Sequence, residues 1–330
     1  MTIGIRSRRP PGLRVNVWND ALVVPPADDR TTTGVLVRAE RGWSVPPGAE
    51  LRRWGRPFHD RPGATEATLA DPGRHLPEAV FAGWYEDHYG HFLLESVARL
   101  WPTDLDPSVP IVWITDRPEL RPWAHEILSF MGIANEIVLV ERSTAPLTVD
   151  RLVVPDAALH FRRWVHPAFV ARLACRPATP EPDCRIWLSR RSSARPDRLV
   201  EEADIERGLA DLGWTIVLPE TLGVAQQLDL LARAAHVAGI EGSAFHGLLL
   251  LDGFTGSIDI VNRHRSPNPE LLARAAGWDQ RRLDPCGGRK VKVVMGPALK
   301  GTQPLMGFRW EDVDVDATVA MLDASSRRRS

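Results

Sequence analysis

Between residues 185 and 261 short apolar runs of strand length alternate with longer amphipathic runs of helix length. The strand-length runs fall at 185–189, 214–218, 236–240 and 257–261. The helix-length runs fall at 201–212, where Ile205, Leu209 and Leu212 share one face, at 221–234 and at 243–251. Apolar residues at i, i+4 and i+7 line one side of a helix, while a short continuous apolar run suits a strand covered on both faces. Strands separated by helices cannot pair as tight hairpins, and parallel neighbours need such crossovers. The pattern therefore predicts an α/β fold with a parallel sheet under helices.

The same alternation occupies part of the first half. Strands are expected at 80–83, 110–115 and 136–140, and helices at 92–101, ended by Pro102, and at 119–131, where Trp123, Ile127 and Met131 recur every fourth residue. Residues 1–78 hold many Pro and Gly residues between short apolar runs such as 13–17 and 34–37, which reads as strands and loops. Residues 175–184, CRPATPEPDC, lack apolar periodicity and read as a linker. The expected organisation is two Rossmann-like domains, 1–178 and 179–330, facing a cleft where parallel strands end. The second domain is expected to close with a helix at 311–322, ahead of a frayed tail, SSRRRS.

A formal net charge of -1 offers no general attraction for nucleic acid, whose binding relies on displaced counterions. Of 41 basic residues only Lys290, Lys292 and Lys300 are lysines. Coding bias from a GC-rich genome is the ready explanation of the imbalance, and arginine's planar fork nevertheless suits phosphate wherever it lines a site. Three cysteines, Cys175, Cys184 and Cys286, show no C-x-x-C spacing, which argues against a zinc knuckle or a disulfide framework. No signal-like apolar segment and no run of 18 apolar residues occurs, so a cytoplasmic protein is expected, with peripheral membrane contact left open.

Three stretches concentrate groups able to do chemistry. In residues 236–253, HVAGIEGSAFHGLLLLDG, an apolar strand meets a Gly-containing turn and then an apolar helix, with Ser243 near the N-cap. Unpaired N–H groups and the positive end of the dipole make that point suit a phosphate, and an ordinary capped turn has the same sequence. Neither G-x-S-x-G nor G-x-G-x-x-G is present, which disfavours a serine hydrolase and a dinucleotide site. Residues 83–102, GWYEDHYGHFLLESVARLWP, hold both tyrosines and place His91 and Glu95 at i and i+4, with His88 before them. A metal triad, a proton carrier and a buried structural histidine all remain open there. Residues 185–205, RIWLSRRSSARPDRLVEEADI, deliver Ser189, Arg190 and Arg191 at a strand end, with Arg195 and Arg198 beyond, as a pyrophosphate site or as a solvated loop.

Taken in order, the three stretches resemble the family 61 glycosyltransferases over roughly residues 80–262. YGHFLLESVARLWP is similar to the family's aromatic-Gly-His-Phe segment with an acidic residue four places on, here Glu95. WLSRR with RLVEEADI resembles its Ser-Arg-Arg and Arg-x-x-Asn-Glu elements, and residues 213–246 its Pro-Glu, Gln-bearing helix and Gly-x-x-Gly-Ser/Ala run. The departures are Ile240 and Glu241 at the usual Pro and His places, His246 for Asn, Glu201 for Asn, and His88 where Asn is common.

The resemblance implies a GT-B architecture and an inverting transfer, of the capsular polysaccharide type, from a nucleotide-sugar donor, UDP-linked, to a glycan or glycolipid acceptor, with no cofactor and no metal. It further implies that Ser189, Arg190 and Arg191 hold donor phosphates together with Gly242, Ser243 and Ala244, with Glu241 and His246 alongside, and that Glu220 and Gln227 meet the nucleoside. His91 and Glu95 are the candidates for acceptor activation, with Asp87 and Glu241 in reserve. The rival expectation is an inactive nucleotide- or sugar-binding module of the same fold.

Overall fold

The computed structural model describes residues 10–26, 33–39, 42–53, 56–57, 73–192, 199–263, 266–296 and 305–327. Arg195, Arg198 and the end of the tail lie outside the described residues. The chain divides into two compact units, Met1–Leu173 and Ala174–Ser330.

The first unit is built on Val15–Val24 (β1), Gly34–Ala39 (β2), Gly42–Ser44 (β3), Arg74–Trp84 (β4), Ile111–Ile114 (β5), Ile137–Val140 (β6) and Leu147–Pro155 (β7). They form one sheet in the order β3-β2-β1-β7-β4-β5-β6. The β1, β2, β3 and β7 contacts are antiparallel, whereas β7, β4, β5 and β6 pair in parallel. Phe81, Trp84, Val112, Ile114, Val138, Val140, Leu152 and Val154 bury one continuous core. The parallel half fits the alternation expected at 80–83, 110–115 and 136–140. The helix expected at 119–131 is Pro122–Phe130 (α1), because Pro122 takes a position where a missing N–H costs nothing.

The helix expected at 92–101 starts earlier, ends sooner and is wound differently. A single turn, Tyr89–His91, runs into a π turn, Phe92–Ser96, closed by Val97 N–H on Phe92 O at 3.2 Å. Apolar periodicity predicts a longer helix, but Arg99 overrides it. Its buried guanidinium donates to Gly48 O (2.5 Å), Pro155 O (2.6 Å) and Glu50 O (3.0 Å). Burial lowers its pKa to about 10, so it stays charged at neutral pH. Gly83, at φ 93° in a β4 bulge, makes room for it, since a Cβ there would meet Arg99 Nε at 3.3 Å.

In the second unit Glu181–Leu188 (β8), Thr215–Val217 (β9), Ala234–Ile240 (β10), Ser257–Val261 (β11) and Asp279–Leu283 (β12) form an all-parallel sheet in the order β9-β8-β10-β11-β12. Crossovers run through Glu202–Asp211 (α2), Val224–Arg233 (α3) and Asn268–Ala276 (α4). Trp187, Ile205, Leu209, Trp214, Ile240 and Val261 pack one face of this sheet. The expected linker is ordered: Arg176–Pro177 pairs in parallel with Leu251–Asp252, and β8 begins at Glu181. Polar and proline-rich composition hid these edge pairings.

Residues Ser243–Leu250 form a 3₁₀ helix rather than an α-helix. At about 2.0 Å rise per residue, against 1.5 Å, this winding carries a short segment further back along the sheet. The closing helix lies later than expected, at Val315–Ser326 (α5), where Asp314 accepts from Ala317 N–H at 3.0 Å. Ahead of it Arg289–Gly296 (β13) and Leu305–Glu311 (β14) pair as an antiparallel ribbon. On that ribbon Lys290 Nζ sits over the rings of Phe308 and Trp310, at 5.1 and 5.2 Å.

The three carbonyls held by Arg99 predict a large effect of its loss. Arg99→Met should lower the unfolding free energy of the first unit by about 3 kcal/mol or more in urea titrations, because buried acceptors are left without donors. A loss below about 1 kcal/mol would show that the neighbouring packing, not Arg99, ends the helix.

Candidate functional site

Two sets of groups stand where parallel strands end. In the first unit, Tyr85 N–H continues the ladder onto Ile114 O (2.9 Å), and Glu86 N–H donates to Ser96 Oγ (2.8 Å), so the π turn is pinned beside the end of β4. His91 Nδ1 lies 2.7 Å from Glu95 Oε2, with 24% and 13% of the side chains exposed. Phe161, on the turn between the short strands Leu159–His160 and Trp164–Val165, stacks on His91 at 5.4 Å. A proton on Nδ1 shared with Glu95 makes Nε2 the basic nitrogen, the arrangement a general base needs.

His88 contacts His91 ring to ring at 5.3 Å and does not complete a triad with Glu95. Among the described residues no three His, Cys, Asp or Glu side chains are grouped to hold a metal. Asp87 faces Arg121 (2.5 and 2.9 Å) and Arg117 (3.0 Å). Because Arg121 is the N-cap of α1 and donates its N–H to Tyr85 Oη at 3.0 Å, Asp87 ties the end of β4 to that helix.

In the second unit β8 ends at Leu188, and the next residue, Ser189, is buried and donates its N–H to Val217 O at 2.8 Å. Its Oγ accepts Arg191 N–H at 3.2 Å. Arg190 N–H donates to Glu202 Oε1 (2.8 Å), and Arg191 Nε lies 3.3 Å from Glu206 Oε2. The Arg190 guanidinium lies against Gly242, where an added Cβ would overlap Nη1. Two segments far apart in sequence thus bring a cation to the start of the 3₁₀ helix. Gly242 occupies the N-cap position expected near Ser243, and no side chain caps the helix.

The remaining candidates divide. Glu241 faces Arg282, whose Nη2 donates to Oε2 at 2.6 Å, so its charge is balanced beside the cradle. Gln227 Nε2 donates to Pro219 O (2.8 Å) and Leu222 O (3.1 Å), which locks the turn ahead of α3. Ala244, Pro219 and Gln227 line one small, mainly apolar cavity with Leu188 and Val217. Glu220 is exposed on the one-turn helix Pro219–Thr221, and His246 is half-buried on the 3₁₀ helix.

Arg282 and the carboxylates beneath Arg190 were missed by sequence reasoning. The latter had a signal: Glu202, Ile205, Glu206 and Leu209 share one helical face, and all four are buried. Glu201, at the family's Asn place, instead accepts Asp312 N–H at 3.0 Å. Burial, reinforced by Glu206, pushes the Glu202 carboxyl up to about 7.

Both sets of charged groups stand at the carboxyl ends of parallel strands, where α/β folds bind ligands. The family model for glycosyltransferase 61 matches residues 89–256, more than half of the chain, a range that holds the candidates from His91 to His246 but not Asp87, His88 or Arg282. The chain belongs to glycosyltransferase family 61: it is a glycosyltransferase, served by a sugar donor and an acceptor. A search of curated proteins gave no match.

Glu202 carries a pH prediction. Below its ordinary value of 4.5 the acid is protonated in both folded and unfolded chains. Between 4.5 and about 7 only the unfolded chain ionises, so stability falls as pH rises, and above 7 the penalty is constant. Glu202→Gln keeps the acceptor for Arg190 N–H and should gain on the parent by on the order of 3 kcal/mol across that window in denaturant titrations. A difference that does not change with pH would refute the assignment.

Proposed function

We propose that the chain is an inverting glycosyltransferase of GT-B architecture, in which the second unit binds a UDP-linked sugar and the first binds a glycan whose hydroxyl attacks it, without a divalent ion. The observation that supports this most is the Arg190 guanidinium resting on Gly242 beside the first N–H groups of the 3₁₀ helix. As the bond to the anomeric carbon breaks, negative charge grows on the departing diphosphate. A fixed guanidinium and oriented N–H groups stabilise that charge most strongly where it develops. Arg282 keeps Glu241 from opposing them. Uridine follows from the family resemblance.

Single-displacement inversion requires a base on the acceptor side. In this reading His91 Nε2 takes the hydroxyl proton, and Glu95 orients the ring and stabilises the imidazolium. Asp87, clamped by arginines, is a positioning residue. Cys175, Cys184 and Cys286, none of them in a disulfide, suit a reducing, cytoplasmic setting.

Three measurements test the reading. UDP should raise the melting temperature equally with and without EDTA, because a ligand of the folded state stabilises by mass action. Stabilisation lost on chelation would sink the metal-free mechanism, and no response to any nucleotide would point to a module without a donor site. Arg190→Ala should weaken UDP by about 1.5 to 3 kcal/mol and leave uridine unchanged. Gly242→Ala should do the same by displacing that side chain; equal losses for uridine in either variant would mean a structural loop. His91→Ala and Glu95→Gln should hold UDP-sugar affinity within about 0.5 kcal/mol and cut turnover by about 10². Near-normal turnover would move the base elsewhere.

A further inference from the structure

The first unit also holds a cavity of about 480 Å³ where β4, β5 and β6 end, a size suited to a small ligand. Glu86, Asp87, Asp116, Arg117 and Arg142 line it, with Trp84, Tyr85 and Thr115. Its place follows from the sheet: the residues just past Trp84, Ile114 and Val140 all emerge at one edge. The roles given to His91 and Glu95 leave this cavity unused.

Its electrostatics narrow the ligand. Arg142 Nε and Nη2 donate to Asp116 Oδ1 at 3.0 and 2.9 Å. Arg117 lies 3.0 Å from Asp87, which Arg121 also holds. Three carboxylates therefore stand among three guanidiniums. A phosphate would have to draw arginines from their partners while facing Glu86, Asp87 and Asp116. An apolar ligand would strip water from charged groups and return no hydrogen bonds. A neutral molecule dense in hydroxyls avoids both costs, because each hydroxyl donates to a carboxylate or accepts from a guanidinium. The ion pairs hold these groups in place beforehand, which lowers the entropy lost on binding.

We propose that this cavity seats an uncharged sugar unit of the acceptor glycan, with Glu86 and Asp116 accepting from its hydroxyls and Arg117 and Arg142 donating to them. The assignment rests on the first unit being the acceptor side. The test uses the full chain and saturation-transfer NMR with the methyl glycosides of glucose, galactose, N-acetylglucosamine and xylose. At least one should bind and should not be displaced by an equal concentration of inorganic phosphate. Asp116→Asn and Arg142→Gln should each weaken it about tenfold, the effect of one charge-assisted hydrogen bond, and leave the UDP response intact. A diazirine derivative of the bound glycoside should label peptides containing residues 84–87 or 115–117 in the unaltered protein, a readout independent of whether the variants fold. Absence of binding by all four glycosides, displacement by phosphate, or labelling only elsewhere would overturn the assignment. Glycoside binding with these features in a protein that never responds to a nucleotide would sustain the cavity and remove the transferase mechanism alone.

Discussion

One backbone hydrogen bond recurs just beyond the parallel strands. Tyr85 donates to Ile114 O and Thr115 to Val140 O in the first unit; Ser189 donates to Val217 O, Glu241 to Val261 O and Asn262 to Leu283 O in the second. Each bond carries the ladder one residue past its strand and so fixes the direction in which the following loop departs. A parallel sheet gathers these loops at one edge, because every strand runs the same way. The chemistry inherits its precision from that extra bond. Arg190 and Gly242 each directly follow one, and His91 comes six residues after another.

Charge is then settled in pairs around these edges. Arg282 joins Glu241 and Glu270 and also donates to Asn262 Oδ1 and Ser266 O. Arg99 satisfies three carbonyls at once. A lysine ammonium cannot spread its donors across a rigid plane in this way, so the arginine-rich composition has a structural use whatever its origin. The exception is Glu202, whose burial raises its carboxyl to about 7 while it accepts the Arg190 N–H.

What the sequence revealed depended on range. The run 257–261 is a strand over the same residues, and the helix read at 201–212 is Glu202–Asp211, since both rest on local apolar spacing. The parallel order in the first half followed from the same signal. β7 escaped because Asp150 and Arg151 interrupt its alternation, and the ribbon β13–β14 because its strands follow no helix. The early end of the helix expected at 92–101 depends on carbonyls about fifty residues away from Arg99. Likewise Glu241 looked like uncompensated charge until Arg282, 41 residues on, was seen beside it. Gln227 shows the opposite failure: a polar residue at a promising place turned out to hold its own turn.

The ribbon has a practical side. Lys290 and Lys292 share β13, and only one other lysine occurs among 330 residues. Apart from the terminal amine, a reagent that attacks amines finds two of its three side-chain targets on that single strand. Immobilisation through amines would therefore tether the protein chiefly by this ribbon, in a narrow range of orientations. None of the residues assigned to donor or acceptor would be consumed by the coupling, so surface-based binding measurements start from a uniform layer.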